Sequence, residues 1–520
     1  MDLGNSVLGW GGGIKKSERA YPISDHPSEI NSLLRDLEAP QHRLRRAAIR
    51  SLAKLGTPEA IQALFDFYKA NIYNKDELGI YAWMSVHFLD NPQGFDFLVE
   101  SLRHPERAVR YMAAGGLAAL KDERAIEPLL GLFDDPDNDV CWRVGRAMHA
   151  FGDKGFQALS QALKHENEDI RSTAAWALGG FEASQSLPLL LQALEDPSDD
   201  VRYYAVRALG ELGDPQALPA LLKTLEDPDV DVRAEALGAM GHLDDSRALG
   251  PLCEALADES STIRAAAAYA LHALDNSQAL PFLLPLLADP DHEVRGPAAL
   301  AIGNFNDPQT YEPLVALLND PEGEVRSMAL SALEDLADPR SIPIFVEHLH
   351  DPKRCTMAAR ALAKFEHSSV YEALLKALSD QDYRIRGAAA ESLGKLRHLP
   401  ALDPLILLLK DPVWRVRREA ASALGRLEDG RAVEPLLQLL NDDYDQVRAS
   451  AIKALGRLGN DRAIPALQAL LQDTTPPYFD PFPRFCDFAA TALQKIGSPQ
   501  ALALLADWLA QGNEIRTRDD

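Results

Sequence analysis

Apolar positions along the chain fall into two short helical blocks joined by an acidic turn, and the pair recurs many times. The first block is typified by Ala217-Leu218-Pro219-Ala220-Leu221-Leu222-Lys223-Thr224-Leu225, which is apolar at helical spacing. Pro219 is tolerated near its start because first-turn amides have no intrahelical acceptor. The turn Glu226-Asp227-Pro228-Asp229 follows, offering a helix stop and an N-cap for the next helix. In the second block, Val201-Arg202-Tyr203-Tyr204-Ala205-Val206-Arg207-Ala208-Leu209-Gly210, the residues at offsets 0, +4, +7 and +8 from Val201 are apolar. At about 100° per residue they form one stripe. Gly210 or Gly213 is expected to close this helix, where a residue without Cβ is least strained.

The position of Arg202 recurs at 45, 79, 110, 141, 171, 202, 233, 264, 295, 326, 355, 386, 417, 448 and 486, a period of about 31 residues. Neither helix of a pair can bury its stripe alone, so each pair must stack on its neighbours. The predicted fold is all-α, a right-handed α-solenoid (superhelix) of about 15 two-helix repeats. It is expected to run continuously over residues 27–510, between a flexible N-terminal arm (1–26) and a flexible C-terminal tail (511–520). The rule breaks in places. The second repeat, around Asp76 to Asp90, lacks the Val-Arg pair and follows an insertion from Tyr68 to Asn74. Slot 355 follows its predecessor after only 29 residues, and residues 474–484 are inserted between two helices of the last repeat.

The consensus, roughly D-x-x-A-(I/L)-x-P-L-L-x-L-L-x-D-P-x-x-x-V-R-x-x-A-A-x-A-L-G-x-L-G, resembles the HEAT repeat, in the short variety of the phycobilisome lyase-like HEAT family. The resemblance spans roughly residues 28 to 510 and implies a HEAT-like superhelix.

Composition narrows the classes of function. With 53 Lys+Arg against 78 Asp+Glu the formal charge is −25, which argues against a nucleic-acid binder. A content of 46% hydrophobic and 25% charged residues supports a folded chain. Cys141, Cys253, Cys355 and Cys486 are widely spaced and form no CxxC pair, so neither a disulfide framework nor a zinc site is expected. No apolar run has the length of a membrane helix and no signal core opens the chain, so a cytoplasmic protein without membrane contact is expected.

The recurring arginine, at offset +1 beside the stripe, is expected to bond acidic groups and carbonyls of the adjacent repeat as a ladder. Cysteines replace it at 141, 355 and 486, as packing residues. Offsets +2, +3, +6 and +9 should line the inner, concave surface. There the repeats differ. Repeat three offers Tyr111 and Met112, repeat four Trp142, Arg143, Arg146 and His149, repeat five Trp176, repeat six Tyr203, Tyr204 and Arg207, and repeat eight Tyr269 and His272. Later repeats show mainly small residues such as Gly296, Ser327, Gly387 and Ser450. Aromatics and arginines at exposed positions are the residue types of binding hot spots, although mutual packing is the alternative. In the inserted loop, Tyr478, Phe479 and Phe482 among prolines form a second candidate.

Enzyme signatures are weak. Gly11-Gly12-Gly13-Ile14-Lys15-Lys16-Ser17 lacks the end of a P-loop, and His165-Glu166 and His292-Glu293 lie four repeats apart in turns, too distant to share a metal. Arg360, Arg415, Arg417 and Arg418 form a modest basic cluster on a solvated surface. The expected function is therefore a non-catalytic protein-protein scaffold, without cofactor or metal, gripping a partner with an acidic or anionic surface through repeats three to eight. The alternative is a phycobilin lyase or bilin chaperone. Val201-Arg202-Tyr203-Tyr204-Ala205-Val206 is similar to an Arg-Tyr-Tyr-Ala-Ala stretch in E-type subunits of phycobilin lyases, which implies that Arg143, Arg146 and Arg207 pair with tetrapyrrole propionates.

Overall fold

The computed structural model describes residues 27–39, 42–72, 82, 85–86, 91–474 and 484–515, and every regular element among them is a helix. None of these helices is long and apolar enough to cross a membrane. The inserted loop with Tyr478, Phe479 and Phe482, the first 26 residues and slot 79 lie outside the described residues. Contacts divide the chain into two units, Gly56–Leu396 and a discontinuous one of Met1–Leu55 with Arg397–Asp520.

In the first unit the helix pairs follow the predicted rhythm. Leu218–Thr224 precedes Val230–His242, and Leu249–Ala255 precedes Ser261–Leu274. The stripe is the core: Val201, Ala205, Ala208 and Leu209 are fully buried, as are Val294, Ala298, Ala301 and Ile302. Successive second helices stack directly on one another as a layer, and each first helix covers its own second helix. A short 3-10 turn opens most first helices, with an Asp or Asn side chain accepting a hydrogen bond from the backbone N–H two residues on, as in Asp214 from Gln216 and Asp245 from Arg247. Such acids satisfy amides that no helix carbonyl reaches.

Gly210 does not end its helix. It lies inside Asp199–Leu212, and a Cβ there would stand 2.9 Å from the Ala239 Cα of the next second helix, so its role is close approach. Gly213 is the terminator, in the left-handed region at φ 63°. Elsewhere this conformation is held by other residues, among them Asp275 at φ 47° and Ala337 at φ 51°.

The recurring arginines clasp successive repeats. Arg202 donates from Nε and Nη2 to the Asp227 carboxylate at 2.7 and 2.9 Å, and from Nη1 to the carbonyls of Asp196 and Pro197. The same fork joins Arg110 to Asp135, Arg171 to Asp196, Arg264 to Asp289, Arg295 to Asp320 and Arg417 to Asp442, always 25 residues on. The carboxylate thus belongs to the next repeat, whereas the carbonyls belong to the turn before the arginine's own helix. Each aspartate also accepts an N–H two residues on, as Asp227 does from Asp229. Arg233 and Arg326 keep the carbonyl bonds without forking to Asp258 or Asp351. At slot 141 the Cys141 thiol donates instead to the Asp135 carbonyl at 3.3 Å, and burial pushes this thiol up to about 11.

In the discontinuous unit, helices Pro27–Leu37 and His42–Leu55 pack together, and the C-terminal repeats follow from Leu402–Leu408 to Pro499–Ala510. Arg46 donates to Asp445 at 3.2 Å across 399 residues of sequence, and both side chains are buried. Arg448 donates to the other oxygen of Asp445 at 2.5 Å. At the far end, Trp508 is buried and its indole N–H donates to the Leu471 carbonyl at 3.1 Å.

Candidate functional site

The site grows from the register of the second helices. In Asn138–Met148 the stripe residues Val140, Val144, Ala147 and Met148 point into the core. That leaves Trp142, Arg143 and Arg146 at the border of the layer. The following helices, Glu168–Leu178 and Asp199–Leu212, place Trp176, Tyr203 and Tyr204 in comparable positions.

These side chains meet across repeat boundaries. The Trp142 and Trp176 rings meet edge-on at 4.4 Å between centroids, Trp142 and Tyr204 at 4.9 Å, and Tyr203 and Tyr204 at 5.2 Å. Arg146 lies over the Trp176 ring at 5.8 Å and Arg143 over the Tyr111 ring at 5.6 Å. Four repeats therefore contribute to one row. All four large rings of the row, and Tyr111, keep part of their surface in solvent, so mutual packing and exposure coexist.

Other expected residues do not join it. Met112 is 1% exposed and belongs to the core, one step around the helix from Tyr111. The Nε2 of His149 lies 2.8 Å from the Ala177 carbonyl, its ring packs edge-on against Phe181, and burial pushes its pKa below the ordinary imidazole value. It packs between the Ala177 carbonyl and Phe181 and, among the described residues, makes no ring contact with the aromatic row. Tyr269 is exposed but stands two repeats beyond Tyr203. His272 has a buried Nδ1 without a partner, and its carbonyl accepts from Asn304 at 3.3 Å.

The charge of the row is less uniform than the run of arginines suggests. Arg207 is 3.6 Å from Glu211 and also faces Glu235, so the chain itself neutralises it. Burial raises the Glu235 carboxyl above its ordinary value although the Tyr203 hydroxyl and Arg207 oppose this. Arg207, which the bilin-lyase resemblance would pair with a propionate, already faces these two carboxylates of the chain. Arg143 and Arg146 differ. Neither forms an ion pair among the described residues, and the Arg143 Nε is buried without a hydrogen-bond partner. Burial pushes the Arg143 guanidinium down to about 10, with Arg146 adding to the effect and Tyr111 opposing it.

Glu235 is not among the residues that a rule of aromatics and arginines at these offsets picks out. Its position, +3 from Val232, is the same slot as Arg143 from Val140, and that equivalence is readable in the sequence. A further aromatic pair, Trp414 stacked on Tyr444 at 5.5 Å with Arg415 and Arg418 over the indole, lies in the discontinuous unit. The offset rule misses it because both rings stand at helix starts, before the Val that sets the register. The arginines of the expected basic cluster are engaged: Arg417 clasps Asp442, Arg360 pairs with Glu334 and Arg418 with Glu419.

Comparison with known proteins agrees with this architecture. HEAT repeats match over residues 76–153, 156–230, 218–302, 280–355, 354–413 and 402–480, and the PBS lyase HEAT-like repeat over 44–64. No curated protein matches the sequence. The structure of yeast importin-beta (Kap95p) superposes with a TM-score of 0.53 at 13% identity, covering 93% of this chain and 80% of that one. The Kap95:Nup1 complex gives 0.51 at 15% identity, covering 93% and 84%. At such identities the likeness concerns the fold alone. The helix pairs, their 31-residue rhythm and matches across most of the sequence place this chain in the HEAT-repeat family, as an all-helical solenoid.

Proposed function

We propose that the protein is a non-catalytic scaffold that binds another protein on the second-helix layer of repeats three to six. The observation that carries this reading is the part-exposed row Trp142, Trp176, Tyr204 and Tyr203, held rigid by edge-on contacts before any partner arrives. Preorganised aromatics lose little conformational freedom on binding, which is why such residues dominate interface energetics. A solenoid of this fold is also present in the Kap95:Nup1 complex.

The test compares tagged wild-type chain with a Trp142→Ala/Trp176→Ala/Tyr204→Ala variant and a Trp414→Ala variant as baits in extract of the native cell, with quantitative mass spectrometry. Proteins retained by wild type and Trp414→Ala should drop at least tenfold on the triple variant, while its far-ultraviolet dichroism stays helical. Equal retention by all three baits removes the row from the binding surface.

A further inference from the structure

The chain contains an internal control for its two unpaired arginines. In repeat six, Arg207 occupies offset +6 from Val201, and the chain supplies it with Glu211 one turn on and Glu235 at offset +3 of the next repeat. In repeat four, Arg146 occupies the same offset from Val140, but the corresponding positions hold Ala150 and Thr173. Thr173 directs its hydroxyl to the Phe133 carbonyl at 3.3 Å. Arg143 occupies the offset that Glu235 holds in repeat seven, and its neighbour in the preceding repeat is Gly115. A Cβ on Gly115 would stand 2.5 Å from the Arg143 Nη2, so the missing side chain there leaves the guanidinium room to lie against the preceding second helix. Two cations one helical turn apart thus sit in neighbouring slots, and neither of the carboxylate positions that serve Arg207 holds a carboxylate for Arg146. Burying a cation without a counter-charge is costly, so a fold that keeps one enclosed gains strongly from an incoming anion.

From this we infer that Arg143 and Arg146 receive an aspartate or glutamate carboxylate of a partner protein, whose adjoining apolar residue rests on Trp142, Trp176 and Tyr111. This rests on the binding surface proposed above and specifies the partner's chemistry. The carboxylate is favoured over phosphate by the chain's own practice: Arg110, Arg171, Arg264, Arg295 and Arg417 each take an aspartate as a two-pronged fork, as Arg202 takes Asp227 at 2.7 and 2.9 Å. In repeat four the fork's acceptor comes from outside. The aromatic frame adds contact area that a free phosphate cannot use.

A random peptide library displayed on phage and selected on the full-length protein supplies the probes. Selected peptides should be enriched in Asp or Glu beside an apolar residue. For a synthetic peptide from the selection, followed through the fluorescence of Trp142 and Trp176 or by calorimetry, replacing the acid by its amide should weaken binding at least tenfold on wild type. The same replacement should have no effect on an Arg143→Met/Arg146→Gln variant. Arg143→Met keeps the volume and discards an unpaired cation, so it should melt at the wild-type temperature or above, which separates loss of binding from loss of fold. Arg143→Lys, which keeps charge without the fork, should not restore affinity. Selection that yields binders dependent on Trp142 but without acidic enrichment overturns the carboxylate and leaves the binding surface standing. Binders indifferent to both Trp142 and Arg143, or no binders, overturn both. Displacement of the peptide by inorganic phosphate or by phycocyanobilin at micromolar concentration reassigns the site to a phosphate or a propionate and overturns the protein carboxylate.

Discussion

At the scale of single residues, the clasp between Arg202 and Asp227 shows how one pair serves two ends. The aspartate accepts the guanidinium fork of one repeat and the Asp229 amide of its own turn. Burial by itself raises the Asp227 pKa, but the Arg202 fork and the Asp229 N–H outweigh it, so the carboxyl titrates below its ordinary range. For Asp320 the fork from Arg295 is the leading cause of the same lowering. A carboxyl with a depressed folded-state pKa stabilises the fold fully above its unfolded value near about 3.9 and loses that contribution as pH falls through the folded value. Asp227→Asn should therefore cost about 2 kcal/mol near neutral pH, seen as faster amide exchange in helices Asp199–Leu212 and Val230–His242. The difference from wild type should shrink toward pH 2. A gap that persists undiminished in acid assigns the loss to packing instead of charge.

At the scale of the element, each second helix must stop and turn within a residue, and most do so in the left-handed region. Gly213 adopts it freely, whereas Ala337 after Gly323–Leu336 adopts it at φ 51° against the resistance of its Cβ. Ala337→Gly should stabilise its repeat by about 0.5 to 1 kcal/mol, because relief of this strain exceeds the entropy a glycine adds to the unfolded chain. Urea unfolding of the two proteins checks the sign, and a lower midpoint for the variant contradicts it. The same elements explain what is legible in the sequence. The stripe of Val201, Ala205, Ala208 and Leu209 is readable because a 31-residue repeat samples one helix face many times over. The aromatic row is readable only as a set of offsets, since whether Trp142 meets Trp176 depends on how far one helix rotates against the next. Met112 goes the other way: adjacent offsets +2 and +3 straddle the edge of the stripe, and a small rotation buries it. The role of Gly210 is ambiguous in sequence because a glycine near a helix end serves close approach and termination equally well.

At the scale of the molecule, the clearest surprise is the ion pair of Arg46 with Asp445. No repeat rule connects residues 399 apart, so nothing in the pattern announces that the first helices and the C-terminal repeats share a unit. Asp445 stands between two buried arginines, and the two possible lesions are therefore unequal. Arg46→Met leaves Asp445 with Arg448, while Asp445→Asn takes a shared carboxylate from both arginines at once. The second should therefore destabilise the unit more than the first, for which about 1 kcal/mol is expected. Amide exchange in helices His42–Leu55 and Asp445–Leu458 reports it, and equal effects of the two substitutions refute the central role given to Asp445.

The clasps that tie repeat to repeat sit in the turns, and they draw on none of the side chains at offsets +2, +3 and +6 of the second helices. The ionic part of cohesion is thus handled by residues other than those displayed. A position such as Trp142 or Arg146 can be exchanged without breaking a clasp, although the ring contacts it makes with the next repeat go with it. The paired Arg207 and the unpaired Arg146 are two spellings of the same slot, one closed by the chain and one left open to the outside.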